Sequence, residues 1–247
     1  MKKTRGIFTG ICVILVITAG VIALVRYQKN KGRADLAERI YDAGAGPPET
    51  IEGLREAIAG YEQEIERHVK IAAQTGVYWK ILATRLQDKG LHNEALAALQ
   101  QAIRYTPADP SLHYLAGVSA GIAAKGALGF DGDAGAERTR LLDLAEEAYR
   151  EAIALDPKYA RPMYGLAVLY VFELDRPAEA IPLLETYLGI ARSDTEARFL
   201  LARAFYGAGR FREAIDTCDA LLSSSKDEDK NKVTRDLRRM AERRLYE

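Results

Sequence analysis

The chain has 247 residues, 48% of them apolar, enough to bury the core of one or two domains. Its 35 Lys and Arg balance 35 Asp and Glu, so no net field draws in nucleic acid or an acidic partner. Two cysteines, Cys12 and Cys218, are too few for a disulfide framework and carry no information on redox compartment.

Lys2, Lys3 and Arg5 make residues 1–5 a basic tail. From Gly6 to Val25 no residue is charged, and as a helix this run extends roughly 30 Å, the thickness of a bilayer's hydrocarbon core. Segment 6–25 is therefore predicted to be a transmembrane helix. A cleaved signal peptide is the alternative, with Val21 and Ala23 as small residues for cleavage, although the run is long for one. Residues 26–33 form a basic juxtamembrane linker, which nearly equalises positive charge on the two sides of the span. A basic segment ahead of an apolar one is usually retained in the cytoplasm. That predicts a single-pass cytoplasmic (inner) membrane protein with the following residues on the periplasmic or outer side.

Leu36 and Ile40 mark a short amphipathic segment, and Gly44-Ala45-Gly46-Pro47-Pro48 interrupts any helix after it. Ile51, Leu54, Ile58, Tyr61, Ile65 and Val69 then recur at steps of three and four, which predicts a helix. Residues 34–75 read as a degenerate repeat in which Ala57 and Tyr61 stand for the small and aromatic positions of a second helix.

Between residues 76 and 228 a pair of small residues recurs in units of about 34 residues. The pairs are Ala83 with Ala95, Gly117 with Ala145, Ala167 with Ala180, and Ala202 with Ala214. Two antiparallel helices approach closely only where the facing side chains are tiny, so each pair predicts a helical hairpin. The units are 76–109, 110–159, 160–194 and 195–228.

The second unit carries an insertion, 126–140, expected as a loop or a lengthened helix end. Its Asp131-Gly132-Asp133 is not a calcium loop, because the places that need glycine and glutamate hold Ala136 and Leu142. Pro110 and Pro162 suit first helical turns, whereas Pro182 lies past a helix start near Pro177 and must sit in the first turn or bend the helix. Residues 229–247 place Val233, Leu237, Met240 and Leu245 on one stripe, as expected of a capping helix that covers the last apolar face. Acids such as Asp236 and Glu242 among its arginines read as a solvated face.

Trp79, Leu82, Leu86, Gly90, Glu94, Ala95, Leu99, Ala102 and Pro107 follow one spacing pattern in order. Phe205, Gly209, Glu213 and Ala214 repeat part of it, and Ala145, Tyr149, Ala152 and Pro157 repeat its second half. By these residues the chain over 76–228 resembles the tetratricopeptide repeat (TPR) family. The resemblance implies an all-α, right-handed α-solenoid of helical hairpins, here behind a predicted N-terminal transmembrane helix. It also implies a concave groove lined by the first helix of each unit.

Carried onto this chain, the groove positions are Lys80, Thr84, Gln87 and Asp88, then Tyr114, Val118 and Ile122. The third unit contributes Arg161, Tyr164, Val168, Val171 and Phe172, and the fourth Glu196, Phe199, Arg203 and Tyr206. Tyr and Phe edged by Arg have the composition of a binding hot spot. The alternatives are that these aromatics pack on neighbouring helices, or that the insertion folds over them. A clamp for a C-terminal carboxylate is disfavoured, since Thr84 replaces asparagine and Tyr114 and Val118 occupy the next helix; an apolar peptide or helix is expected instead.

Catalysis has no motif. His68, His92 and His113 lie in different units, there is no phosphate loop, CxxC pair or nucleophile elbow, and Cys218 falls where the family packs a bulky side chain. No enzyme activity, metal or cofactor is expected. The expected function is that of a membrane-anchored adaptor that holds a partner protein's peptide or helix in the groove and assists assembly of an envelope complex. A permanent structural subunit of a membrane machine and a ligand-binding repeat protein are the alternatives.

Overall fold

Glycines and prolines punctuate the chain where backbone geometry requires them. In the computed structural model, which describes residues 49–127, 132–224 and 227–247, the described residues are helical apart from short connections and include no strand. The chain divides into two units, Met1–Ile65 and Glu66–Glu247. Among the described residues no helix is long and apolar enough to cross a membrane; the predicted span 6–25 lies outside them.

Helix α1, Ile51–Asp88, is opened by Thr50, whose hydroxyl accepts the Gly53 amide at 3.0 Å. It runs unbroken through residues 75 and 76, where the sequence reading placed a repeat boundary. No proline occurs from residue 49 to 106, and Gly76 is a packing residue rather than a breaker: a Cβ there would lie 2.9 Å from the Tyr105 Cβ. The helices that follow are α2 (His92–Tyr105), α3 (Pro110–Gly126), α4 (Gly132–Leu155) and α5 (Ala160–Phe172). After these come α6 (Pro177–Ile190), α7 (Thr195–Gly207), α8 (Phe211–Ser224) and α9 (Glu228–Tyr246).

Gly90 and Gly209 take φ values of 74° and 75° in the turns after α1 and α7. There Leu91 N donates to Leu86 O and Arg210 N to Phe205 O, each at 2.9 Å, which closes the left-handed C-terminal turn. In the third hairpin Asp175 takes that conformation instead, with φ 51°. Pro110 and Pro177 are first-turn residues of α3 and α6, and Pro182 lies within α6 on its exposed side.

The predicted small pairs lie at the helix crossings. Ala83, Ala95, Ala145, Ala167, Ala180, Ala202 and Ala214 are all 0% exposed, and Gly117 is buried. Tyr149 of α4 shows why glycine is needed. Its ring lies between α3 and α5, where a Cβ on Gly117 would come within 2.7 Å of it and one on Gly165 within 2.8 Å. Buried Glu146 ties the neighbouring helices together: it receives Arg150 at 2.7 Å, Arg176 at 2.9 Å and the Tyr170 hydroxyl at 3.0 Å.

Within Glu66–Glu247, consecutive first helices touch one another, α3 with α5, α5 with α7 and α7 with α9. Second helices show no comparable mutual contact, so the first helices form the inner wall of the stack. Of the insertion, Gly126 ends α3 and residues 132–140 form the opening turns of α4, a lengthened helix end. Arg138 there pairs with Glu173 at 2.7 Å, at the end of α5.

A methyl group at residue 117 or 165 must displace the Tyr149 ring. Gly117→Ala and Gly165→Ala are therefore expected to destabilise the protein by about 1–3 kcal/mol. Gly121→Ala, where a Cβ meets nothing within 4 Å, is expected to stabilise by about 0.5–1 kcal/mol. Urea midpoints at constant m-value check both.

Candidate functional site: the inner helical wall

The first half of the predicted groove is committed to joining helices. Lys80 Nζ pairs with Asp109 at 2.9 Å, and Asp109 is the N-cap of α3, accepting the Ser111 amide at 2.9 Å. Gln87 donates to Leu115 O at 3.1 Å and to Ser119 Oγ at 2.8 Å. Thr84 is exposed, but its hydroxyl turns back to Lys80 O at 3.0 Å. Lys80 and Gln87 are thus connectors between the first two hairpins rather than free contact groups, because each reaches a backbone or capping partner on α3.

The middle aromatics are half-buried against their neighbours. Tyr114 meets Tyr159 edge-on at 5.4 Å and Tyr149 at 6.2 Å, and Val118 and Val168 pack on the core. Tyr164 lies 5.4 Å from Tyr187, whose hydroxyl donates to Asp194 at 2.7 Å. That bond, with burial, pushes the Tyr187 pKa up to about 12. Burial of the Asp194 carboxyl works toward a higher pKa, but the Ala197 amide at 3.0 Å and the Tyr187 hydroxyl outweigh it and hold the group below the usual aspartate range. Arg161 remains exposed at the edge.

The open part of the wall lies on α5, α7 and α9. Phe172 is 50% exposed, with the Arg203 guanidinium 4.8 Å from its ring centre. Phe199 and Tyr206 are half-buried and pack toward Leu237 of α9 and the core, and Tyr206 also lies 5.7 Å from Phe211. The described part of the insertion leaves Phe172 and Ile122 exposed.

The sequence reading missed the contribution of α9. Thr234, Leu237 and Ala241 form its buried face, whereas Val233 and Met240, expected to cover the core, stand 51% and 48% exposed on the wall. Counting units past residue 228 would have found them: Lys230, Val233 and Met240 fall at the same second, fifth and twelfth places. Two cavities flank Phe199 and Val233. One, of about 310 Å³, has the Lys230–Glu196 ion pair in its lining; the other, of about 240 Å³, reaches Val171, Arg203 and Met240.

The buried Cys218 thiol is pushed up to about 11 by burial and by Asp219, so it stays protonated at neutral pH. Among the described residues no three His, Cys, Asp or Glu side chains are grouped to hold a metal ion.

Because the folded Asp194 pKa is depressed, its stabilising contribution is complete above the ordinary aspartate value of about 4 and is lost as pH falls through the folded value. Asp194→Asn is expected to flatten the loss of stability below about pH 4, read as urea midpoint against pH.

The sequence matches the family described as tetratricopeptide repeat over residues 82–120, 136–195 and 171–230, more than half of the chain. No curated protein matches. The fold is similar to that of MamA 41-end from Desulfovibrio magneticus RS-1, with TM-score 0.54 and 20% identity over 70% of this chain and 92% of that one. It is also similar to YrrB, described as a TPR protein with an unusual peptide-binding site, with TM-score 0.53 and 19% identity over 73% of this chain and 88% of that one. MamA AMB-1 gives TM-score 0.55 and 20% identity over 69% and 82%. The eight buried small residues at the helix crossings and the extent of the sequence match lead to one conclusion: this chain belongs to the tetratricopeptide repeat family.

Proposed function

We propose that the wall of α5, α7 and α9 holds an apolar peptide or helix of a partner protein by equilibrium association, with no bond made or broken. The observation that carries this reading is the exposure of Phe172 on α5 and of Val233 and Met240 on α9, the two helices that touch α7, with two cavities beside Val233. Arg203 stands over Phe172 without an ion-pair partner among the described residues, available to an acidic group at the edge of the bound segment. The peptide-binding site described for YrrB is in keeping with this use of the fold. The protein is an adaptor rather than an enzyme in this reading, supported by the scatter of its three histidines and its protonated Cys218 thiol.

The uncharged run Gly6–Val25 behind a basic tail supports attachment to a bacterial-type inner membrane, with the repeats on the outer side. Assistance to assembly of an envelope complex follows from that placement. Alkaline extraction checks the attachment: the full chain is expected to stay with the membrane fraction.

Phe172→Glu combined with Met240→Glu changes two exposed side chains. The double variant is expected to lose the protein that co-purifies with the full chain, and to bind a synthetic segment of it at least about tenfold more weakly, at unchanged helical content and melting temperature. Retention of the partner by this variant would show that the wall is not the binding site.

A further inference from the structure

The opening turns of α1 carry an apolar face that the described residues leave uncovered. Ile51, Leu54, Ile58, Tyr61 and Ile65 are each between 41% and 66% exposed. Their spacing alternates three and four, the a and d positions of a heptad, so they form one straight stripe. Arg55 and Glu62 occupy the e positions beside it, and neither makes an ion pair among the described residues.

We propose that this stripe is a homodimer surface on which a second copy of the chain lies antiparallel. Ile58 would then stack on Tyr61 of the second copy and Leu54 on its Ile65, so every apolar residue from 54 to 65 in the stripe meets an apolar residue. The same register sets Arg55 of each chain against Glu62 of the other, giving two symmetric ion pairs. The charges decide the direction. A parallel pair would set Glu62 beside Ala57 and give Arg55 no acidic neighbour, whereas the antiparallel pair compensates both charges from one sequence.

The overlap of residues 54–65 spans roughly 17 Å of helix. An interface of that length falls below about 1,200 Å², the weak end of specific interfaces, so dissociation in the micromolar range is expected. The surface is independent of the inner wall and does not rest on the partner-binding reading.

Sedimentation velocity of the full chain in mild detergent, from about 1 to 100 µM, tests the proposal, that range bracketing the expected affinity. The wild type is expected to shift from monomer to dimer across this range, and Ile58→Asp to abolish the shift with helical content unchanged by circular dichroism. Arg55→Glu alone, or Glu62→Arg alone, turns both pairs repulsive and is expected to weaken the dimer by about tenfold or more. The double swap Arg55→Glu, Glu62→Arg is expected to restore it to within about threefold, the ion pairs being re-formed with reversed polarity. The proposal is overturned by a monomer at every concentration, by a dimer indifferent to Ile58→Asp, or by single charge variants that the swap does not rescue.

Discussion

Helix pairs in this protein meet over missing side chains. At each crossing the facing positions are Ala or Gly, fully buried, and the backbones approach because nothing larger than a methyl group separates them. The Tyr149 ring carries this logic between hairpins: Gly117 and Gly165 leave room for one aromatic to lie against both α3 and α5. Removal of that room would displace the ring and the inner wall with it, since α3 and α5 touch along the wall.

The wall that results is uneven, and the unevenness has a chemical cause. Toward the first repeat, polar residues at groove positions find partners on the next helix, as Lys80 does with Asp109 and Gln87 with Ser119. Those bonds fix the helix-to-helix step but remove the side chains from use. Tyr164 is similarly occupied, lying on Tyr187, which is itself bonded to the N-cap of α7. Toward the last repeat the same positions hold Phe172 and Arg203, and α9 adds Val233 and Met240. Phe172, Val233 and Met240 remain as exposed apolar area, with cavities beside the two α9 residues.

Helix α9 therefore has two roles set by its two faces. Thr234, Leu237 and Ala241 cover the last hairpin, as a solenoid end requires. Its other face extends the inner wall by one more helix in the place of a first helix. The opening turns of α1 also carry an apolar face, exposed among the described residues.

Most of the architecture was legible in the sequence because it rests on local constraints. Gly90 and Gly209 mark turns since only glycine enters φ near 75° without penalty, and paired small residues mark crossings since side-chain volume is a property of the residue itself. The unbroken passage of α1 through Gly76 was not legible, because that glycine answers to Tyr105, 29 residues away, and not to the backbone around it. The division of the groove into committed and open residues was equally hidden. Whether Lys80 is free depends on where Asp109 lies, and whether Met240 is covered depends on the face by which α9 docks. The sequence by itself determined the repeat, its period and its turns; the tertiary structure alone decided which side chains were left for a partner, because exposure depends on distances between residues far apart in the chain.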